Sequence, residues 1–331
     1  MSSSRVSETL RGLYRPIQAE LDRVEGHLRE LSRHANPLIA EIHDYLFEVA
    51  GKRLRPALLL FCNRLYGQPE GEASFWAATI EVIHTASLIH DDIVDNSDRR
   101  RGRASVHARW GPNVTVLLGD FLYIQSIVRT LATRRDRLTN IMAGVTAEMI
   151  EGELIEVSWA GRFQVPESIH LDILDRKTSS LFGGACRIGA VLGHAPAEEE
   201  DRIESFGRKL GLSFQIIDDW LDFTGNPEIL GKPVLSDIRE GRATLPLILA
   251  LQRMDNRGRR ELLTLIESGI NDPESASRVL DFVRPTGALD EAMERARAYA
   301  REATSILEGF PPSEARQALL SLTRLLLERT A

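Results

Sequence analysis

The chain has 331 residues, of which 43% are hydrophobic, and a formal net charge of −7. This length and apolar content predict a globular protein with a large core and exclude a disordered chain. The mild acidic surplus argues against a nucleic-acid-binding protein, which usually carries excess positive charge.

The cysteine content and the first residues bear on location. Cys62 and Cys186 show neither metal spacing nor a disulfide-rich pattern, which fits a reducing compartment. The first residues contain no apolar run of the signal-peptide type, and no stretch reaches the length of a membrane span without charges. We therefore expect a soluble, cytoplasmic protein.

The first informative element is an apolar segment that runs from Ala73 to His90, in which Glu81 is the only charged residue. So apolar a segment predicts a helix buried on most sides. It ends in the sequence HDDIVD, whose acidic residues are Asp91, Asp92 and Asp95. Because carboxylates are costly to bury without partners, this end should leave the core or face a polar cavity.

The same arrangement occurs again far downstream. Residues 201–223 carry apolar side chains at steps of three and four, which predict one face of a helix. This segment ends in FQIIDDWLDF, whose acidic residues are Asp218, Asp219 and Asp222. Near the end of the chain, residues 313–329 predict another helix, capped by Ser313.

Two predicted loops, residues 96–112 and 224–244, follow the aspartate clusters and are rich in glycine and basic residues. No segment alternates in the way that a strand requires, and no linker divides the chain. We therefore predict an all-α protein with residues 1–331 in a single domain.

The two aspartate clusters together predict a metal site. In each cluster the outer aspartates project from one helix face about one turn apart, where like charges repel unless a cation binds. A single cluster of this kind is typical of a solvated helix end, but two copies after apolar helices favour function. Carboxylate ligands favour Mg²⁺, which is commonly completed by substrate phosphate oxygens. The clusters therefore suggest metal-bridged binding of a polyphosphate.

Basic residues next to the clusters and their glycines support phosphate binding. They are Lys52, Arg53 and Arg55 in GKRLRP, Arg99, Arg100, Arg101 and Arg103 after the first cluster, Lys177 in DRKTSSLF, and Lys232 in GKP. His84 lies two turns before Asp91 on the same stripe, so both binding and core packing stay open for it.

In its motifs and their order, the chain resembles the trans-isoprenyl diphosphate synthases of the polyprenyl synthetase family. The matching motifs fall between Gly51 and Pro246 and are GKRLRP, HDDIVD, RRG, GDFLY, KTSSLF, FQIIDD and GRATLP. The resemblance implies a single helical bundle around a deep central cavity, usually in a homodimer. It also implies a Mg²⁺-dependent, head-to-tail condensation of isopentenyl diphosphate with an allylic diphosphate.

The resemblance assigns roles to residues at matching positions. Metal binding is implied for Asp91, Asp92 and Asp95 on one wall and for Asp218, Asp219 and Asp222 on the other. Binding of the allylic diphosphate is implied for Arg100, Lys177 and Lys232. Binding of isopentenyl diphosphate is implied for Lys52, Arg55, His84 and Arg101. Thr178 and Gln215 would border the reacting carbons, and the lipophilic product implies at most transient contact with a membrane.

Three positions depart from the family pattern. Ala50 replaces a usual glycine, Leu235 replaces the second glycine of GKxxGxD, and Arg242 replaces the lysine of GKxTLP. Arginine keeps the charge of lysine but not its shape. These departures affect the second loop and how Lys232 is presented, and they leave the aspartates unchanged.

The residues before the first aspartate cluster bear on product length. In short-chain members bulky aromatic residues stand there and form a floor, whereas this chain has Ala86 and Ser87. We therefore predict a pocket that continues downward and a product longer than farnesyl. A geranylgeranyl or farnesyl product is the alternative, with Phe121 or Tyr123 as a floor from elsewhere.

Three other interpretations were weighed. A terpene cyclase would also ionise a prenyl diphosphate, but the second aspartate cluster and GKRLRP argue against it. A di-iron bundle would use Glu81 with His84 and Glu167 with His170, at the Glu-x-x-His spacing, but leaves the aspartates without a task. A regulatory subunit of a two-chain synthase commonly loses an aspartate motif, and this chain keeps both.

Overall fold

Helices make up nearly all regular structure in the computed structural model, which describes residues 3–32, 34–48, 51–67, 71–100, 102–225, 234–270 and 272–328. They are α1 Ser3–Tyr14, α2 Gln18–Ser32, α3 Pro37–Glu48, α4 Leu54–Tyr66, α5 Glu72–Val94, α6 Val106–Trp110, α7 Pro112–Ala132, α8 Asp136–Trp159, α9 Glu167–Leu174, α10 Ser180–Leu192, α11 Ala197–Thr224, α12 Ser236–Arg239, α13 Leu245–Arg253, α14 Asn256–Glu267, α15 Pro273–Val283, α16 Ala288–Glu308 and α17 Glu314–Glu328. Two 3₁₀ turns, Arg15–Ile17 and Arg284–Thr286, and a π-helical segment, Asp175–Ser179, join neighbouring helices. The predicted all-α class is confirmed.

Helix α5 is the predicted apolar helix and is buried along most of its length. Its one internal charge, Glu81, is neutralised in the core, where Arg53 Nη1 donates to Glu81 Oε1 at 2.7 Å. Arg53 also donates to Glu25, with Nε 2.5 Å from Oε1. Because removing either member would leave a buried charge without its partner, this pair fixes the start of α4 against α5.

Helix α11 begins after Pro196 and carries Glu198, Glu199 and Glu200 in its first turn, where acidic side chains offset the helix dipole. Most of the predicted apolar stripe is buried, and Phe214 and Leu221 are partly buried. The first half of the stripe packs into a cluster with α4, α5 and α10, and its second half packs into a cluster with α13 and α16. One continuous helix thus contributes to both parts of the core, and the single domain stays a prediction.

Smaller features complete the fold. Ser313 caps α17 as predicted, since its Oγ accepts from Arg316 N at 3.1 Å. The loop after α5 contains a two-residue hairpin that the sequence did not predict, in which β1 Arg99–Arg100 pairs with β2 Arg103–Ala104. Gly102, at φ +78°, permits this tight turn.

Helix α7 is, among the described residues, the one helix long and apolar enough to cross a membrane by length and composition. A third of its most apolar window is buried in the structure, and the helix carries Asp120 and Arg129. Core helices of soluble proteins also meet this criterion.

Candidate active site

A cavity of about 750 Å³ opens between α5, α8, α9 and α11, and it receives side chains from both aspartate clusters. Its polar lining consists of Arg55, His84, Ser87, His90, Asp91, Asp95, Arg100, Glu153, Glu156, His170, Lys177, Thr178, Gln215, Asp218, Asp219, Asp237, Arg242 and Thr244. Residues that lie far apart in the sequence therefore share one site. This volume is in the range typical of small-molecule sites.

The first wall is the end of α5, where Asp91 and Asp95 face the cavity. Asp92 does not line it: this residue is buried, and its Oδ1 accepts from Arg100 Nε at 2.7 Å. Arg100, which is predicted to bind the allylic diphosphate, itself lines the cavity. Asp92 therefore holds the side chain of Arg100 in place. The hairpin explains this contact, since it folds Arg100 back over the helix end.

The second wall is the end of α11, where Asp218 and Asp219 line the cavity. Asp222, one turn later, is fully buried and faces the start of α12. Its carboxylate accepts from Ser236 Oγ at 2.5 Å, Ser236 N at 3.1 Å and Asp237 N at 3.2 Å. Asp222 therefore anchors the second loop, a position that leaves its predicted metal binding as a prediction.

The π-helical segment presents Lys177 and Thr178 to the cavity. Such segments are rare and are frequent at functional sites. Two glycines make room for it: a Cβ at Gly152 would lie 2.8 Å from Lys177 N, and a Cβ at Gly211 would lie 2.7 Å from the Cα of Ser179. Helices α8 and α11 thus pack directly on this segment because they carry no side chain at these points.

Lys177 is surrounded by carboxylates that the sequence analysis missed. Its Nζ lies 2.6 Å from Glu153 Oε2 and 2.5 Å from Glu156 Oε2. Burial alone would lower the pKa of Lys177, but Glu156, Asp91 and Glu153 raise it above its ordinary value. The signal was the pair of acidic residues three apart in EGELIE, which places both on one face of α8.

Arg55 lies in the cavity wall with its guanidinium carbon 4.7 Å from the centroid of the Phe182 ring. Burial lowers its pKa to about 10, an effect that the charge of Glu81 only partly offsets. No described residue accepts a hydrogen bond from Arg55 Nε. A buried guanidinium with a donor that lacks a protein acceptor suits an anionic ligand.

The other basic residues that were predicted to bind diphosphate fall into three groups. His84 lines the cavity, so the structure places it at the site. Lys52 is exposed and does not line the cavity, although its backbone oxygen accepts from Tyr14 Oη at 3.1 Å. Arg101 and Lys232, like Ala50, lie outside the described residues.

Thr178 and Gln215, the residues predicted to border the reacting carbons, both line the cavity. Thr178 Oγ1 donates to Gln215 Oε1 at 2.9 Å, and Gln215 Nε2 donates to Asp219 Oδ1 at 3.2 Å. Gln215 and Asp219 stand four residues apart on α11 and so share its cavity face.

Arg242 joins the first aspartate wall to the loop after the second, a role that was not predicted. Its Nη1 lies 2.5 Å from Asp95 Oδ1 on the first wall, and its Nη2 lies 2.7 Å from Asp237 Oδ1 beside the second. It also donates to Glu240. Leu235 is buried and its N donates to Asp222 O at 2.8 Å, but its φ of +58° is a left-handed conformation that the glycine usual at this position adopts with less strain.

Asp91 is the cavity carboxylate with the most altered acidity. Burial raises its pKa to about 7, Lys177 opposes this effect, and the charges of Glu153 and Asp95 add to it. A bound cation would stabilise the ionised form, so the site fits a metal with oxygen ligands. No group of three or more His, Cys, Asp or Glu side chains in the described part of the chain holds a metal position by itself.

The family model of the polyprenyl synthetases matches residues 36–283. The chain belongs to the polyprenyl synthetase family. It is 36% identical over 294 residues to an octaprenyl diphosphate synthase of Haemophilus influenzae, covering 88% of this chain and 89% of that protein. It is 34% identical over 290 residues to a short chain isoprenyl diphosphate synthase of Methanothermobacter thermautotrophicus, covering 86% and 89%.

Among solved structures, this polyprenyl synthetase is similar to a polyprenyl synthase of Caulobacter crescentus that was crystallised with calcium and isoprenyl diphosphate. The TM-score is 0.91 at 32% identity, covering 97% of this chain and 98% of that one. The predicted family, fold and enzyme class, a trans-prenyltransferase, are thereby confirmed.

Apolar and aromatic side chains also line the cavity, including ones one turn or so before Asp91 on α5 and around Glu153 on α8. Among them are Leu88, Tyr123, Met149, Ile150 and Leu154. Ser87 lines the cavity as predicted, whereas Ala86 is fully buried in the core and does not. Of the two alternative floor residues, Tyr123 lines the cavity, whereas the ring of Phe121 packs 6.0 Å from that of His43.

The glutamates of the two Glu-x-x-His pairs in the di-iron interpretation pair with arginines and do not face a metal site. Glu81 is paired with Arg53, and Glu167 Oε1 accepts from Arg295 Nη1 at 3.0 Å. Helix α9 begins at Glu167, as its position after Pro166 indicates. Both carboxylates are thus held by arginines, and the di-iron interpretation is wrong.

Proposed function

We propose that this polyprenyl synthetase condenses isopentenyl diphosphate head-to-tail with an allylic diphosphate and releases an all-trans product longer than farnesyl diphosphate. The observation that carries the proposal is the shared cavity, which is lined by carboxylates and cations and also by apolar side chains. The charged side chains suit a diphosphate with its metals, and the apolar side chains suit a hydrocarbon chain.

The reaction begins when the allylic C–O bond breaks and leaves a carbocation and a diphosphate. Arg100 and Lys177 line the cavity where they would stabilise negative charge on that leaving group. The C1 cation then bonds to the terminal double-bond carbon of isopentenyl diphosphate, and loss of a proton to the released diphosphate gives the elongated allylic product. The apolar lining excludes water that would otherwise capture the cation.

We propose Asp91, Asp95 and Asp218 as the carboxylates that would hold Mg²⁺. All three line the cavity, and because burial raises the pKa of Asp91, a bound cation would stabilise its ionised form. Bound Mg²⁺ would neutralise the diphosphates and orient the allylic group. Its remaining ligands would be water and diphosphate oxygens, as is usual for this ion.

Arg55 and His84 are proposed to bind the diphosphate of isopentenyl diphosphate. Arg55 approaches the cavity from α4 and His84 from α5, whereas Lys177 approaches from the π-helical segment. Two separate cationic positions suit two diphosphates, which a terpene cyclase would not need. The second position therefore favours a condensing enzyme.

Product length is proposed from the apolar lining of the cavity. Ser87 is small where a bulky residue would close the path, and Ile150 and Leu154 line the cavity while 46% and 65% exposed. The path below Asp91 therefore continues as far as α8. A geranylgeranyl product is the second candidate, favoured by the Tyr123 ring at this level.

A homodimer is proposed because α7 and α8 expose an apolar face at helical spacing. This α7/α8 face consists of Val116, Leu117, Ile124, Val128, Leu131, Ile150, Leu154 and Val157. It contains eight of the ten large hydrophobic residues that are exposed in the described part of the chain, and an exposed patch of this kind marks an interaction site. A second copy would also cover the open side of the cavity. We further propose a cytoplasmic enzyme that contacts membranes transiently to release its product.

The test is to incubate the purified protein with Mg²⁺, labelled isopentenyl diphosphate and geranyl, farnesyl or geranylgeranyl diphosphate, and to size the products by chromatography. We expect products of more than twenty carbons. A product that stops at fifteen carbons would contradict the length proposal, and one that stops at twenty would identify the geranylgeranyl candidate. Hydrocarbon released from an allylic diphosphate alone would identify a cyclase instead.

A further inference from the structure

The strongest unassigned feature is a buried histidine, His170, that meets a carboxylate at the cavity wall. His170 is 5% exposed on α9, and Asp219 is 3% exposed on α11. Their Nε2 and Oδ2 atoms lie 3.2 Å apart. Both atoms are shielded from solvent, and within the described chain neither has hydrogen-bond geometry with any partner, the other included. At this distance a small rotation of the imidazole ring would aim its N–H at Oδ2 and satisfy both atoms.

This contact continues into the residues that border the proposed reaction. Asp219 Oδ1 accepts from Gln215 Nε2, and Gln215 Oε1 accepts from Thr178 Oγ1. A single row of polar contacts thus runs from His170 through Asp219 and Gln215 to Thr178. All four residues line the cavity.

We propose that His170 is a positioning residue that, through Asp219, fixes the direction of the Gln215 amide and so presents oxygen atoms to the allylic carbocation. The proposal rests on the prenyltransferase function proposed above. It also assigns Asp219, beside the metal-binding Asp218, to orienting Gln215.

The direction of the Gln215 amide follows from which neighbouring groups can donate and which can accept hydrogen bonds. A carboxylate accepts hydrogen bonds only, so Asp219 requires the NH₂ group of Gln215 and excludes its oxygen. The amide oxygen must then face Thr178 and accept the hydroxyl proton. As a result, Thr178 Oγ1 and Gln215 Oε1 both have lone pairs, and no proton, available on the cavity side. Two such oxygens stabilise a developing positive charge, whereas a flipped amide would present N–H groups that oppose it.

His170 is proposed to supply the hydrogen-bond donor that keeps the Asp219 carboxylate in this orientation. A buried carboxylate with one satisfied oxygen rotates or reorients unless its second oxygen also has a donor. The imidazole of His170, on a different helix, lies 3.2 Å from that oxygen and is the donor that we assign to it. Without it, we expect Asp219 to release Gln215 part of the time, and the cation to be less well shielded.

The test uses His170→Phe, which keeps a ring but removes the N–H group, and His170→Gln, whose amide nitrogen can reach the same oxygen. Rates are measured under saturating substrates, together with the ratio of allylic alcohol to elongated product. The alcohol forms when water adds to the cation and a proton is lost. We expect His170→Phe to lower kcat about tenfold, as for loss of one oriented hydrogen bond, with KM for both diphosphates unchanged and a higher alcohol ratio. His170→Gln should restore most of kcat.

His43→Phe is the matched control, because His43 is also a buried histidine but bonds to Leu31 O at 2.7 Å away from the cavity. It should leave kcat and the alcohol ratio unchanged. Asp219→Asn should reproduce the His170→Phe effect, and the double variant should add nothing further. Manganese binding to the substrate-free protein, followed by electron paramagnetic resonance, should be the same in Asp219→Asn as in the wild type.

Three results would overturn the proposal. The first is full kcat in His170→Phe, and the second is a double variant whose loss of kcat is the sum of the losses in His170→Phe and Asp219→Asn. The third is loss of manganese binding in Asp219→Asn, which would make Asp219 a metal ligand. Failure of the function proposed above is distinguishable, since the wild-type protein would then form no elongated product. Far-ultraviolet circular dichroism of each variant separates loss of fold from loss of positioning.

Discussion

Arg242 and Asp95 form an ion pair across the cavity, with Nη1 2.5 Å from Oδ1, although 147 residues separate them in the sequence. Arg242 also donates to Asp237 and Glu240, so one guanidinium joins the first aspartate wall to the loop after the second. The lysine usual at this position in the family is shorter and lacks the fork. The Arg242 departure thus alters the site itself.

Because Arg242 occupies the carboxylate of Asp95, we expect it to compete with metal in the substrate-free enzyme. Arg242→Gln should tighten manganese binding about fivefold, the scale for one charge near a partly buried site. Electron paramagnetic resonance of free manganese measures this directly. Arg239→Gln removes an exposed charge from the same loop and serves as the control. Binding that is unchanged or weaker in Arg242→Gln would show that Arg242 does not compete.

The raised pKa of Asp91 predicts how the metal-free protein responds to pH. The unfolded carboxyl has a pKa near 3.9, whereas burial raises the folded value to about 7. Between these values the folded state binds more protons, so the contribution of Asp91 to the free energy of unfolding falls as pH rises. Asp91→Asn removes this dependence, and its stability advantage over the wild type should grow by roughly 2 kcal/mol from pH 5 to pH 8.

Urea denaturation in the presence of a chelator measures the Asp91 effect. Asp290→Asn, at an exposed position at the start of α16, is the control and should show no such growth. A stability difference between Asp91→Asn and the wild type that stays constant with pH would contradict the assigned acidity.

A bulky substitution at Ser87 should change the product length, whereas one at Ala86 should mainly change the stability of the protein. Ser87→Phe places a ring in the cavity below Asp91 and should shorten the product while the first condensation continues. Ala86→Phe instead overfills the core, where Ala86 is fully buried, and should cost about 1–3 kcal/mol of stability. Chromatography of the products and thermal unfolding separate the two effects. An unaltered product from Ser87→Phe would show that the chain grows elsewhere.

The α7/α8 face predicts the oligomeric state. Leu131→Glu and Leu154→Glu each place a charge on this face and should convert a dimer to monomers in light scattering coupled to size-exclusion chromatography. Leu38→Glu is the matched control, because Leu38 is an exposed leucine on α3. A wild-type protein that is monomeric at micromolar concentration would contradict the dimer.

The sequence predicted what depends on local periodicity and on motif. Helix α5 is long and apolar and helix α11 is long and periodic, so their existence and the position of their aspartates were evident. Contacts between helices could not be predicted from the sequence, because Asp92 and Asp222 have the same local sequence pattern as Asp91 and Asp218. Only the folded chain shows that Arg100 and the start of α12 bind them.

The basic residues show the same limit. Arg53 and Arg55 stand two apart in GKRLRP, yet Arg53 is buried against Glu81 and Arg55 faces the cavity. Glu153 and Glu156, which hold Lys177, lie on helix α8 and belong to no motif that was recognised. Pairing partners that come from distant helices are set by tertiary packing, which a single sequence does not display.

The most direct test of the central claim is a crystal structure with Mg²⁺, isopentenyl diphosphate and an unreactive allylic thiodiphosphate. We predict magnesium ions bound by Asp91 and Asp95 on one side and by Asp218 on the other, with the thiodiphosphate between them and its hydrocarbon chain below Ser87. Metal and diphosphate bound outside the cavity, or bound through one aspartate wall alone, would contradict this account.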